Sequence, residues 1–224
     1  MSKKLVMLAI MSTILCALFT LTGGITGCGQ VQKNSSGAVT NFPHTDDKRW
    51  LYKETTTLGT LETIYKTTQY FDGVATLESG LMVQRYRVSE EVVSESISAW
   101  RPINAFALPS GGFYYIDDSG VYRYYSITTS EAELELPLPL DVGKTWQRNA
   151  RASFEAVARE EIIVPAGTFI AIKITSKSFS DTEHYEWYAD GVGLVKSFTK
   201  TLNIPLVSTV ETFVSTLELL SKNF

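Results

Sequence analysis

The chain is 224 residues long, 44% of them hydrophobic, and its formal net charge at pH 7 is −4. A mildly acidic chain lacks the Lys and Arg excess that sequence-independent nucleic-acid binding requires, so its composition argues against nucleic-acid partners. The same charge provides no electrostatic attraction to an anionic membrane surface.

The amino terminus is typical of a secretion signal. It begins with two lysines, Lys3 and Lys4, and continues with an uncharged, largely apolar run from Leu5 to Leu21. At 17 residues the run is at the lower limit for crossing a hydrocarbon core of roughly 30 Å, so a transmembrane anchor is the alternative interpretation.

The residues that follow this run favour a lipid anchor over a transmembrane one. Ile25-Thr26-Gly27-Cys28 resembles the lipobox of bacterial lipoproteins, in which an aliphatic residue and two small residues precede an invariant Cys. The resemblance implies that residues 1–27 are removed and that the Cys28 thiol carries diacylglycerol. We therefore predict an exported protein, anchored to the cell membrane or outer membrane through Cys28, with its domain outside the cytoplasm. Two or more acyl chains hold a protein stably, because each buried methylene contributes roughly 0.8 kcal/mol.

Removal of this signal changes what the mature chain contains. Without Lys3 and Lys4, 18 basic residues remain against 24 acidic ones, for a net charge of −6. The only other cysteine, Cys16, lies in the removed segment. The mature protein is therefore expected to have no disulfide and no thiolate metal site.

A polar segment separates the lipid from the folded part. Residues 28–47 contain Gly37, Pro43 and a Ser pair and show no periodic apolar pattern, which is typical of a flexible tether. We predict that the globular domain occupies residues 48–224.

Strand-forming residues dominate this domain. Tyr, Thr, Val, Ile and Phe crowd short segments that end at Asp-Gly, Pro-Ala-Gly and similar turn sequences. The predicted strands are 49–57, 62–71, 81–88, 112–117, 120–127, 152–164, 168–178, 183–189, 193–201 and 206–219. Residues 89–99 fit a short helix or a strand. The prediction is thus an all-β, single antiparallel domain of about ten strands with little helix; whether it forms a barrel, a half-barrel or a sandwich stays open.

Two hairpins can be worked out from alternation. With Asp118-Ser119 as a two-residue loop, one face of the first hairpin carries four aromatic side chains: Phe113, Tyr115, Tyr122 and Tyr124. Such a face can bind an apolar or carbohydrate ligand, and it is the possible ligand platform of this sequence; core packing is the alternative. In the second hairpin, Ile170, Ile172 and Ile174 share one face.

Three segments together resemble a known family. They are 136–146 (LPLPLDVGKTW), 164–169 (VPAGTF) and 188–196 (YADGVGLVK). In this order they are similar to motifs of the TapB-like family, a group of exported bacterial β proteins. The resemblance implies a β fold and export. Its motifs consist of turn and core residues, so it implies no catalytic group.

Candidate catalytic and metal-binding residues are few. A Ser-His-Asp arrangement would have to use His184, with Ser178, Ser180 or Asp181 nearby, but no Gly-x-Ser-x-Gly sequence is present. On a strand, His184 and Glu186 face one side while Asp181 and Glu183 face the other, which disfavours a shared metal site. We interpret this cluster as a solvated strand end and predict no catalytic residue, cofactor or metal.

Three functional hypotheses follow. The leading one is a non-enzymatic envelope lipoprotein that binds a small apolar ligand or an envelope protein partner. The second is a structural or assembly component of an envelope complex, and the third is an envelope hydrolase that uses His184. An aromatic-lined cavity of several hundred cubic ångströms would favour a ligand, and a solid core would favour the structural role.

Overall fold

Twelve antiparallel β-strands form one continuous sheet. The structure is a computed structural model that describes residues 39–95, 111–150, 152–176, 181–205 and 210–224. The strands are β1 (Arg49–Leu58), β2 (Leu61–Thr76), β3 (Met82–Glu95), β4 (Gly112–Asp117), β5 (Gly120–Tyr124), β6 (Glu133–Pro137), β7 (Thr145–Asn149), β8 (Ala152–Val164), β9 (Gly167–Ser176), β10 (Thr182–Ala189), β11 (Gly193–Pro205) and β12 (Val210–Lys222). None of the described residues belongs to a helix long and apolar enough to cross a membrane.

The sheet curls until its two ends meet. Its strand order is β6-β5-β4-β3-β2-β1-β12-β11-β10-β9-β8-β7, and the end strands β6 and β7 lie beside each other. Across this seam the Arg148 side chain in β7 donates to the main-chain oxygen of Glu135 in β6 at 3.2 Å. The fold is therefore an all-β, nearly closed barrel, which decides between the architectures that the sequence left open.

Every predicted strand occurs, and two more are present. The additional strands, β6 and β7, are five residues long each and rich in charged or polar side chains, so neither shows the β-residue enrichment used for prediction. Strand β3 continues to Glu95, which decides in favour of a strand over 89–95; residues 96–99 lie outside the described residues. In β9, Ile172 and Ile174 are buried as predicted, but Ile170 is 41% exposed near the hairpin end.

Aromatic side chains fill the core inside the curved sheet. The ring of Phe71 lies 6.0 Å from Trp50, 5.2 Å from Tyr86 and 6.2 Å from Tyr114, all in edge-to-face arrangements. Trp50 also donates its indole N–H to Val192 O at 2.6 Å. These contacts combine apolar burial with favourable ring geometry and satisfied polar atoms.

The chain before β1 is bound to the barrel. Val39 is 2% exposed and pairs with Leu140 through two main-chain hydrogen bonds of 2.9 and 2.8 Å. The Asp190 carboxylate accepts from the main-chain N–H groups of Thr40 and Asn41 at 2.7 and 2.8 Å. The predicted tether over 28–47 therefore does not extend to residue 47, since its described part, 39–47, lies against the domain; Cys28 lies outside the described residues.

Asp190 is expected to control this docking. Asp190→Ala removes the acceptor of three hydrogen bonds from Thr40 and Asn41, so we expect a loss of about 1–2 kcal/mol and faster tryptic cleavage after Lys48. Asp190→Asn, which keeps a side-chain oxygen, is the control and should lose less. An unchanged cleavage rate in Asp190→Ala would show that other contacts hold the segment.

Candidate functional site

The predicted aromatic face exists, but it lies away from the main core. Phe113 pairs with Tyr124 and Tyr115 with Tyr122, which confirms the predicted register. The tip of the β2–β3 hairpin packs on this face through Leu77, and Glu78 N donates to Ile127 O at 2.9 Å. The four aromatic rings thus form part of a small second core, and their role as a ligand platform stays a prediction.

His184 and Glu186 face the barrel interior. They are 2% and 7% exposed, whereas the Glu183 side chain on the opposite face is 55% exposed. The predicted division of faces is confirmed, but the solvated strand end is wrong for His184 and Glu186. Strand β10 is paired on both edges, by β9 and β11, and its inner face is buried because the sheet curls around the core.

These two residues belong to a buried polar network. His184 Nε2 lies 3.0 Å from Glu186 Oε1, and since an ionised carboxylate only accepts, the ring nitrogen donates. His184 Nδ1 lies 2.9 Å from the Thr199 hydroxyl. The other carboxylate oxygen of Glu186 accepts from Tyr188 at 3.0 Å and from Arg148 at 3.3 Å.

Thr199, His184 and Glu186 are linked in the hydroxyl–imidazole–carboxylate order of a catalytic triad. Here, however, the hydroxyl contacts Nδ1 and the carboxylate Nε2, the reverse of the triad. Thr199 is 5% exposed, and His184 and Glu186 are likewise buried, at 2% and 7%. A nucleophile needs space for a substrate beside it. We therefore interpret these contacts as fixing the imidazole within the barrel wall. Of the other residues considered, Ser178 and Ser180 lie outside the described residues.

Arg148 connects Glu186 to a second carboxylate across the seam. Its guanidinium lies 3.4 Å from Glu135 Oε1 and 4.0 Å above the Phe154 ring. Burial acts to raise the pKa of Glu186, but Arg148 and His184 outweigh it, so that pKa is held well below its usual range. Burial raises the pKa of Glu135, and Arg148 only partly opposes this effect. The Arg148 guanidinium thus contacts two carboxylates whose pKa values are shifted in opposite directions.

The lowered pKa of Glu186 predicts an acid-sensitive contribution to stability. Its folded pKa lies below the reference value of 4.5, so its stabilisation is present above that value and is lost as the pH falls towards the folded pKa. Each pKa unit corresponds to about 1.4 kcal/mol. Protonated Glu186 resembles Gln, so the difference in unfolding free energy between wild type and Glu186→Gln should shrink between pH 4.5 and 3 in urea titrations.

Glu135 has a raised pKa. Its titration therefore changes the unfolding free energy above pH 4.5, outside the range of this comparison, and with the opposite sign. Glu183→Gln is the matched control, because it removes the same charge on the exposed face of the same strand, outside the buried network. A constant difference between wild type and Glu186→Gln from pH 7 to 3 would contradict the assigned charge state.

A cavity of about 50 Å³ lies next to this network. Seven of its twelve lining side chains are aromatic, including Trp50, Tyr86 and Tyr114, and the two polar ones are Gln69 and Glu135. A water molecule needs about 10–15 Å³ on this measure, so the cavity has room for a group of a few heavy atoms. It is smaller than the several hundred cubic ångströms that would favour a whole ligand.

Two polar atoms at the cavity have no hydrogen-bond partner among the described residues. They are Gln69 Nε2 and Glu135 Oε2. Gln69 is 2% exposed, and its Oε1 accepts a hydrogen bond from Tyr86. A buried donor or acceptor without a partner costs about 1–3 kcal/mol. The cavity is therefore suited to a bound group that satisfies both atoms.

A β-bulge explains why the sequence did not identify Glu135. Val121 pairs with Leu136 and Tyr122 with Leu134, so Glu135 is the extra, unpaired residue of β6. In regular alternation Glu135 and Leu136 would face opposite sides, but both line the cavity. Bulges redirect side chains in this way. In the described part of the chain no group of three or more His, Cys, Asp or Glu side chains could hold a metal.

Comparisons with known proteins give a family match over part of the chain. A family model described as DUF3108-like matches residues 148–211, which include the motifs at 164–169 and 188–196 but not the one at 136–146. The TapB-like resemblance stays a prediction. A search of curated proteins finds no match.

Two solved structures are similar. One is a presumed lipoprotein from Parabacteroides distasonis, 18% identical, covering 81% of this chain and 97% of its own, with a TM-score of 0.46. The other is a presumed exported protein with a YmcC-like fold from Bacteroides fragilis, 15% identical, covering 83% of this chain and 100% of its own, with a TM-score of 0.44.

Proposed function

We propose that this chain is a lipid-anchored protein of the cell envelope whose barrel binds the head of a small ligand, without catalysing its conversion. The single observation that carries the proposal is the aromatic-lined cavity at which Gln69 Nε2 and Glu135 Oε2 have no partner among the described residues. The remainder of the proposal rests on the amino-terminal sequence.

The anchor is supported by Lys3 and Lys4, the apolar run and the lipobox-like Ile25–Cys28 segment. Cys28→Ala should release the protein from membranes or leave the signal uncleaved, as seen by fractionation and intact mass. Normal membrane retention of a cleaved Cys28→Ala protein would contradict the lipid anchor.

The ligand site is supported by the polarity of the cavity. A dry cavity is normally lined by apolar atoms, whereas polar atoms without a partner indicate a site that is filled. The volume of about 50 Å³ limits the inserted part of the ligand to a few heavy atoms. The rest of the ligand would extend from the cavity.

A second candidate function is a structural or assembly role. The small cavity favours it, and so do the exposed apolar side chains beside the β2–β3 turn and the segment after β5. Met82 is 69% exposed, Tyr125 57%, Val74 53% and Ile127 44%. Exposed apolar side chains occur at protein-interaction surfaces.

Native mass spectrometry of the protein extracted from membranes tests the two functions. We expect wild type to carry a non-covalent small-molecule adduct, and Val121→Phe, which fills the cavity, to lose it. Val142→Phe is the control, because Val142 is 48% exposed. Wild type without an adduct, or an adduct retained in Val121→Phe, would contradict the ligand site. A stoichiometric protein partner in place of an adduct would establish the second function.

A further inference from the structure

We propose that the cavity is an aromatic cage for a positively charged ligand group, a small alkylammonium head. This inference rests on the proposed function, whose ligand class it specifies. The occupant must fit about 50 Å³, interact with aromatic faces and edges, and satisfy a buried carboxylate oxygen. An ammonium group meets all three requirements.

The aromatic walls provide the first argument. Seven aromatic side chains line the cavity, and the Tyr86 and Tyr114 rings lie 5.1 Å apart at an angle of 62°. A cation within about 6 Å of an aromatic face is attracted by the ring quadrupole, and the attraction strengthens when the site is desolvated. Recognition of ammonium ligands by several rings is a common use of this interaction.

The charge balance provides the second argument. Arg148 is shared between Glu135 and Glu186, at 3.4 and 3.3 Å, so one guanidinium faces two carboxylates. Arg123 is the other cation near Glu135, but it donates to Gly111 O at 3.1 Å and lies 4.3 Å above the Tyr125 ring. Neither guanidinium bonds Oε2 of Glu135, which has no partner among the described residues, so this oxygen can accept from a positively charged donor.

Gln69 can adapt to this ligand. Its Oε1 now accepts from Tyr86 and its Nε2 has no partner in the described parts of the chain. Rotation of the amide by 180° would let Nε2 donate to the Tyr86 oxygen and turn Oε1 towards the cavity, because the two ends of an amide are nearly the same size. An ammonium group then has two acceptors, Glu135 Oε2 and Gln69 Oε1.

Calorimetric titration with ethylammonium chloride and with ethanol tests the charge requirement. The two probes have nearly the same size and differ in charge, and sodium chloride keeps the ionic strength equal. We expect the full-length protein to bind ethylammonium at least tenfold more tightly than ethanol. Equal affinities, or no heat from either probe, would overturn the inference.

Variants assign the effect to Glu135. Glu135→Gln should lower ethylammonium affinity at least tenfold and change ethanol affinity little. Glu133→Gln removes the same charge two residues away, at a carboxylate bonded to Tyr125, and should retain the preference. A preference that survives in Glu135→Gln would overturn the assignment. If Glu135→Gln fails to fold, the comparison of ethylammonium with ethanol binding in wild type alone tests the charge requirement.

The two proposals fail differently. A neutral or anionic adduct that native mass spectra show in wild type but not in Val121→Phe would support the ligand site and refute an ammonium ligand. Absence of any adduct together with absence of probe binding would refute both.

Discussion

Arg148→Met should lower the free energy of unfolding by about 3–5 kcal/mol, because it leaves two buried carboxylates without their shared cation. The Arg148, Glu135 and Glu186 side chains are 14%, 14% and 9% exposed. The substitution also removes the hydrogen bond to Glu135 O that joins β7 to β6. Urea denaturation at pH 7 measures the loss.

The matched control is Arg87→Met. Arg87 lies 3.1 Å from Asp72, but both side chains are about half exposed, 52% and 48%, and surface pairs contribute about 0–1 kcal/mol. A loss in Arg148→Met no greater than that in Arg87→Met would contradict the role of Arg148 in closing the sheet. Adding Glu135→Gln and Glu186→Gln should recover part of the loss, since no uncompensated charge then remains.

Phe71→Ala is the second substitution with a large expected effect. Phe71 is 1% exposed and contacts the Trp50, Tyr86 and Tyr114 rings at centroid distances of 5.2–6.2 Å. Truncation of a buried Phe costs about 3–5 kcal/mol. It would also enlarge the cavity, so ligand contacts should weaken as well.

Phe71→Leu serves as its control, because it keeps most of the apolar volume and should cost clearly less. Chemical denaturation of both variants gives the comparison. A loss below about 1 kcal/mol in Phe71→Ala would mean that the aromatic cluster does not hold the core together.

Local sequence chemistry predicted the strands and hairpins well. The Asp118-Ser119 turn, for example, determined the pairing of Tyr115 with Tyr122, because a two-residue loop permits only one register. Alternation also separated the faces of His184 and Glu183 correctly. These features depend on residues that are neighbours in the chain.

Features that depend on tertiary context could not be predicted. Burial of His184 and Glu186 follows from the curvature of the twelve-stranded sheet, which encloses the inner face of β10. Alternation along one strand does not show which of its faces will be enclosed. The inward direction of Glu135 depends on a bulge opposite Val121 and Tyr122. The segment 39–47 contacts residues far along the chain, including Leu140 and Asp190. Its polar composition alone therefore indicated a tether.

A crystal structure of the full-length protein with ethylammonium at saturating concentration tests the central claim most directly. We expect the cation to lie in the aromatic-lined cavity, with its nitrogen about 3 Å from Glu135 Oε2 and in contact with Gln69. A cavity that holds only water at saturating probe, or that has closed with Gln69 and Glu135 bonded to protein groups, would contradict it.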